Sequence, residues 1–289
     1  MSDEPRLAIA RAAPLSRRLL VKTSLSVGFC AAIPTVLAQV ITTPADGLIA
    51  GEVRVPAGDA DIPAYRAMPD HGGPFPTVLV VHEVFGVHEH IKDICRRFAR
   101  LGYYAISPEL FARQGDAVAE SDMGRLMTEI VFKKPDAEAA SDLDATLAYA
   151  KSTSSADVER AAVVGFCWGG RQVWLYATHN PSLNVAWYGP LFWRIQQPTA
   201  IARAERDPPD IVADLKVPVL GFYGGQDGFI PLAQIDEMKA KLAAASGAKI
   251  IVYPDAGHGF FADYREDYSK ADAEASWSEA THWLKAHGV

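Results

Sequence analysis

Three side chains that could share one proton relay occur along the chain in the order cysteine, aspartate, histidine. They are Cys167 in Gly165-Phe166-Cys167-Trp168-Gly169-Gly170, Asp227 in Gly224-Gly225-Gln226-Asp227-Gly228, and His258 in Ala256-Gly257-His258-Gly259-Phe260. A thiol beside an imidazole that a carboxylate orients is a nucleophile able to attack a carbonyl and hold the acyl group covalently. The cysteine's own surroundings read as a Gly-x-nucleophile-x-Gly turn, which joins a buried strand to a helix and needs small residues on both sides. A thiol raised at a helix N-terminus meets unpaired backbone N–H groups and the positive end of the helix dipole, which favour the thiolate. So short a match arises by chance in many chains, and the elements around it must decide.

Those elements agree. Arg160 to Phe166 is a short apolar run suited to a buried parallel strand, and Gln172 to Thr178 continues as a helix. Val217 to Gly221 starts a second apolar strand that ends in the glycines before Asp227, and Lys249 to Tyr253 is a third, followed by Pro254-Asp255-Ala256-Gly257-His258. Each of the three residues thus falls just after a strand, where the carboxyl ends of a parallel sheet place active sites. Taken singly, Asp227 and His258 could be ordinary turn residues; their joint order and placement favour a triad.

The remaining segments fit one doubly wound, mostly parallel α/β sheet with helices on both faces. Leu48 to Val55 and Ile62 to Met68 alternate apolar and polar residues and predict antiparallel edge strands joined by a turn at Pro56-Ala57-Gly58-Asp59. Thr77 to Val81 is a central strand by its β-branched run, followed by a helix over about His88 to Leu101 and a strand over Tyr103 to Ser107. Gly115 to Pro135 is expected to form a helix or lid. Helices are predicted over Ala137 to Lys151, Glu237 to Ala245 and Ala271 to Ala286.

Of the 289 residues, 49% are hydrophobic and 10% aromatic, ample for a buried core. Residues 1–39 read differently. Ser16-Arg17-Arg18-Leu19-Leu20-Val21-Lys22 precedes a moderately apolar stretch to Val40 with small residues near Ala38, the pattern of a twin-arginine export signal. Export to the periplasm through the twin-arginine machinery is the expectation, with an uncleaved membrane anchor as the alternative. This leader carries five basic and two acidic residues, so the formal charge of −7 becomes −10 without it, which argues against a nucleic-acid partner. Cys30 lies in the leader, and Cys95 falls on the apolar face of the helix near His88, where it reads as a small core residue. No His or Cys spacing suggests a metal site, and no cofactor is called for.

On these motifs the chain resembles the dienelactone hydrolase (carboxymethylenebutenolidase) family of the α/β-hydrolase fold over about residues 45–287, with 45–289 expected as a single domain. Beyond the three motifs, Val80-Val81-His82-Glu83-Val84-Phe85-Gly86-Val87 looks like the strand and loop that carry the family's active-site glutamate. The resemblance implies that Cys167 attacks the carbonyl, His258 exchanges the proton and Asp227 orients the imidazole. It implies that Glu83 pairs with the resting cysteine and restrains it or helps it ionise. The oxyanion donors would be the backbone amides of Trp168 and Val84. The family's arginines bind a substrate carboxylate; here no arginine lies within 259–264, which leaves Arg265, with Arg125 as the other candidate. His82, His88 and His90 are expected on the surface or behind the site, and Trp187, Tyr188 and Trp193 in core packing.

The expected function is therefore thiol-dependent hydrolysis of small carboxylic esters or lactones by a monomer. The alternatives are a peptidase or acyltransferase on the same fold, or a ligand-binding protein that keeps the pocket without catalysis.

Overall fold

The computed structural model describes residues 41–180, 182–193, 206–243 and 247–289. The expected export leader, 1–39, lies outside them, as does the end of the helix expected over 237–245.

Eight strands form one sheet: β1 (Leu48–Ala57), β2 (Ala60–Pro69), β3 (Phe75–Val81), β4 (Tyr104–Pro108), β5 (Ala156–Phe166), β6 (Leu183–Trp187), β7 (Val219–Gly224) and β8 (Lys249–Tyr253). Their spatial order is β1-β2-β4-β3-β5-β6-β7-β8. Pairing is antiparallel for β1 with β2 and β2 with β4, and parallel from β4 to β8. This is the α/β-hydrolase architecture that the motifs imply, with the antiparallel strands at its N-terminal edge. The β-branched runs account for the centre: Val78, Val80 and Val81 of β3 and Val163 and Val164 of β5 are all fully buried.

Among the described residues, five longer helices accompany the strands: α1 (Glu89–Arg100), α2 (Asp136–Ser152), α3 (Trp168–Tyr176), α4 (Leu232–Leu242) and α5 (Lys270–Ala286). The chain travels one way across the sheet from β3 to β4 and the other way from β4 to β5. With right-handed crossovers, that reversal puts α1 on one face and α2 and α3 on the other. Side chains agree: Phe98 of α1 packs on Trp277 of α5 at 4.6 Å between ring centroids, whereas Tyr176 of α3 donates to Asp144 of α2 at 2.6 Å. Sheets with such a reversal bind ligands beyond the carboxyl ends of the strands that flank it, here β3 and β5.

Several boundaries differ from those expected, each for a local reason. The β1–β2 hairpin closes in two residues, Gly58 and Asp59, because Gly58 takes a φ of +65° and lets Ala57 pair with Ala60. Helix α3 starts at Trp168, four residues before the predicted start, with Cys167 as its N-cap; Gly169 and Gly170 hide this start from propensity. Helix α4 starts early, at Leu232, directly after Pro231. The segment expected as a helix or lid holds one α-helical turn at Met123–Arg125, a π turn at Leu126–Ile130 and a 3₁₀ turn at Val131–Lys133.

Strand β5 and helix α3 approach so closely that glycine is required. A Cβ at Gly165 would lie 2.4 Å from the Gly169 carbonyl oxygen, and one at Gly169 would lie 2.4 Å from that of Val81. Gly169→Ala is expected to cost about 3 kcal/mol, the upper end for overpacking, and to lower the melting temperature by roughly 6–12 °C. Gly51→Ala, whose Cβ would meet nothing within 4 Å, should move it little. Thermal melts of the two variants check the contrast.

Candidate active site

The backbone at Cys167 has φ 51° and ψ −120°, a conformation that L side chains rarely adopt. It is held by its neighbours: the Cys167 amide donates to the Trp187 carbonyl at 3.0 Å, and the Arg171 amide closes the first helical turn onto the Cys167 carbonyl at 3.2 Å. The side chain is thereby fixed at the mouth of α3, 3% exposed.

His258 stands between the sulfur and Asp227. Its Nε2 is 3.3 Å from Cys167 Sγ and its Nδ1 is 2.8 Å from Asp227 Oδ2. The other carboxylate oxygen of Asp227 accepts from the amides of Phe229 and Ile230, at 2.7 and 2.9 Å, which locks its orientation. Glycines again bring the loops together, since a Cβ at Gly224 would lie 2.4 Å from the Ala256 carbonyl oxygen, and one at Gly225 the same distance from that of Pro254. Burial alone would lower the pKa of His258, but the charges of Asp227 and Cys167, with hydrogen bonds to both, push it up to about 10.

Glu83, two residues beyond β3, is fully buried. Tyr264 donates its hydroxyl to Glu83 Oε2, His88 Nε2 is 4.0 Å from the same oxygen, and Arg265 Nη1 is 4.0 Å from Oε1. Burial pushes the carboxyl pKa up, yet Arg265, His88 and Tyr264 together outweigh it and hold Glu83 below its ordinary value. Burial lowers His88 to about 4, so its imidazole is neutral at neutral pH. The carboxylate makes no hydrogen bond to the cysteine, whose partner is His258. This differs from the resting pair that the resemblance implies, and the cationic and phenolic groups around Glu83 account for where it turns.

The backbone amides of Val84 and Trp168 donate to no protein acceptor among the described residues. Arg265, its side chain 10% exposed, joins the cluster, and Gly259, with φ +80°, makes room for it: a Cβ there would sit 2.9 Å from Nη1. Arg125 is not brought into this cluster by any described contact; it is exposed and pairs with Glu120 at 3.0 Å within its own segment. His82 and His90, expected at the surface or behind the site, are buried, with His90 Nδ1 3.0 Å from Asp263. Trp187 stacks in the core on Phe166, but Tyr188 turns with φ 37° to put its ring 5.2 Å from that of His258. Tyr188 and Tyr264 were not singled out as site residues; the position of Tyr188 directly after β6, level with the other strand ends, was the available signal. Among the described residues, the Tyr188 hydroxyl, Glu83 Oε1 and His88 Nε2 lack hydrogen-bond partners. No group of three or more His, Cys, Asp or Glu among them could hold a metal ion.

Strand order and the glycine-flanked turn after β5 define the α/β-hydrolase fold, with Cys167 in that turn. The profile of the dienelactone hydrolase family matches residues 62–288, and the chain belongs to that family, whose members are hydrolases of ester bonds. It is 52% identical over 291 residues to a protein of Methylorubrum extorquens provisionally named carboxymethylenebutenolidase, covering 99% of this chain and 98% of that one. A protein of the same provisional name from Escherichia coli K12 is 46% identical over 265 residues, covering 90% and 96%. The crystal structure of a provisionally assigned dienelactone hydrolase from Klebsiella pneumoniae is similar with a TM-score of 0.78 at 45% identity, over 82% of this chain and 98% of that one.

The raised pKa of His258 has a consequence for stability. Between the ordinary value of 6.5 and about 10, the native protein keeps a proton that the unfolded chain releases, so this contribution is complete below pH 6.5 and is lost as pH rises through 10. Asp227→Asn keeps an acceptor for the loop amides and removes the charge. It should therefore be destabilised most near pH 6 and least near pH 10, as denaturant midpoints across that range will show; a gap independent of pH contradicts this origin.

Proposed function

We propose that this hydrolase cleaves small carboxylic esters or lactones through an acyl-enzyme on Cys167. The observation that carries the reading is His258, buried with one ring nitrogen 3.3 Å from the sulfur and the other 2.8 Å from Asp227. With the shared proton on Nε2 of His258, the sulfur attacks the carbonyl carbon, and the amides of Val84 and Trp168 receive the oxyanion. Collapse breaks the C–O bond, and His258 returns the proton to the departing alkoxide. Water then attacks the thioester with His258 as base and frees the acid and the thiol. Asp227 holds the imidazole in position and stabilises its charged form.

Glu83 and Arg265, 4.0 Å apart, are a paired anion and cation, and the charge of Cys167 acts on Arg265. We assign them to substrate orientation, with Arg265 as the group closest to hand for a substrate anion and Glu83 as the anion it would be exchanged from. Arg125 remains a candidate only for a substrate long enough to reach its segment. The basic, apolar, small-residue order of residues 1–39 supports export to the periplasm, and nothing in the proposed mechanism needs a second subunit.

Cys167→Ala is expected to lower turnover of p-nitrophenyl acetate and of small unsaturated lactones at least about 10³-fold while leaving the melting temperature near that of the wild type. Steady-state rates on both substrates test this, and an alanine variant that keeps wild-type turnover rules the reading out.

A further inference from the structure

The geometry points to His82 as a positioning residue that aims both oxyanion amides. This inference rests on the acyl-enzyme reading above and extends it behind the reacting groups.

His82 is fully buried, and a polar ring in such a place is costly unless its nitrogens are satisfied. Both are. The Leu110 amide lies 3.0 Å from Nε2 and can only donate, so Nε2 carries the lone pair and the proton sits on Nδ1. Nδ1 then donates to the Glu83 carbonyl oxygen at 2.7 Å. Glu109 also approaches Nε2, at 3.3 Å, but its carboxylate already accepts from the amides of Val87 and Phe111.

The bond to Glu83 reaches the site through one peptide. The Glu83 carbonyl and the Val84 N–H belong to the same planar trans unit, in which they point to opposite sides. Drawing the carbonyl toward His82 turns the Val84 N–H away from it and fixes the plane in which that donor can swing. The ring makes its second connection by stacking: it lies 5.7 Å from the Trp168 ring at 18°, and Phe111 closes against both, at 4.9 and 4.5 Å. Trp168 carries the other oxyanion amide. The backbone of His82 bears on the start of α3 as well, since a Cβ at Gly169 would lie 2.5 Å from the His82 carbonyl oxygen. A core residue that only filled volume would need neither the donor nor the acceptor.

Two reactions of the same sulfur separate positioning from mere packing. Acylation by p-nitrophenyl acetate passes through an oxyanion, whereas alkylation by iodoacetamide displaces iodide and forms none. Wild-type acylation confined to Cys167 establishes the underlying reading, and its absence would fail that reading rather than this one. His82→Leu and His82→Phe remove both hydrogen bonds, the second keeping a ring on Trp168; His82→Gln keeps one donor and one acceptor. Both apolar variants should acylate about 10²-fold more slowly, in line with the loss of one oxyanion donor, while iodoacetamide alkylates Cys167 within about twofold of the wild-type rate. His82→Gln should recover most of the acylation rate. The inference is overturned if a folded apolar variant acylates as the wild type does. It is overturned equally if acylation and alkylation fall together, or if the glutamine variant is no better than the apolar ones.

Discussion

The structure turns on one residue's backbone. Cys167 must leave a parallel strand and enter a helix within a single residue, and its φ of 51° with ψ of −120° is the cost. Such a conformation costs about 1–3 kcal/mol and persists only where surrounding bonds leave no alternative. Here β5 is paired on both sides, the Cys167 amide is tied to the Trp187 carbonyl, and α3 is pressed against β3 and β5 through Gly165 and Gly169. The strain raises the sulfur above the sheet at the helix mouth, where the loops after β7 and β8 can reach it.

Electrostatics follow from that placement. A buried carboxylate such as Glu83 is tolerated because a guanidinium, an imidazole and a phenol are drawn in around it. His258 gains its proton affinity from the two groups it bridges. The polar cluster beside the thiol is left incompletely bonded at the Tyr188 hydroxyl and Glu83 Oε1, so hydrogen-bonding capacity remains there in a setting otherwise built from aromatic rings. Buried polar groups in that condition are suited to a polar ligand and poorly suited to a core whose only task is stability.

The sheet was legible in the sequence because its centre is written in short, unbroken apolar runs, as at Val78 to Val81 and Ala161 to Val164, which suit a buried parallel strand. Cys167, Asp227 and His258 were legible because each follows such a run within a few residues. The start of α3 was not, since two glycines after the cysteine mask a helix that packing imposes. Nor was the partnership of Glu83 with Tyr264 and Arg265, residues about 180 positions apart that meet only through the fold. The burial of His82 was hidden for a related reason: its partners are backbone groups, which leave no mark on side-chain patterns. Residue types announce chemistry at strand ends, but the orientation of peptide planes and the pairing of distant loops come from tertiary packing.

The most direct test of the account is rapid-quench mass spectrometry of the protein mixed with p-nitrophenyl acetate, following the peptide that contains Cys167. The account predicts an acetyl thioester on that cysteine which forms in a burst and decays at the rate of steady-state turnover. Turnover with no adduct at Cys167, or with an adduct that forms and persists without product release, would contradict it.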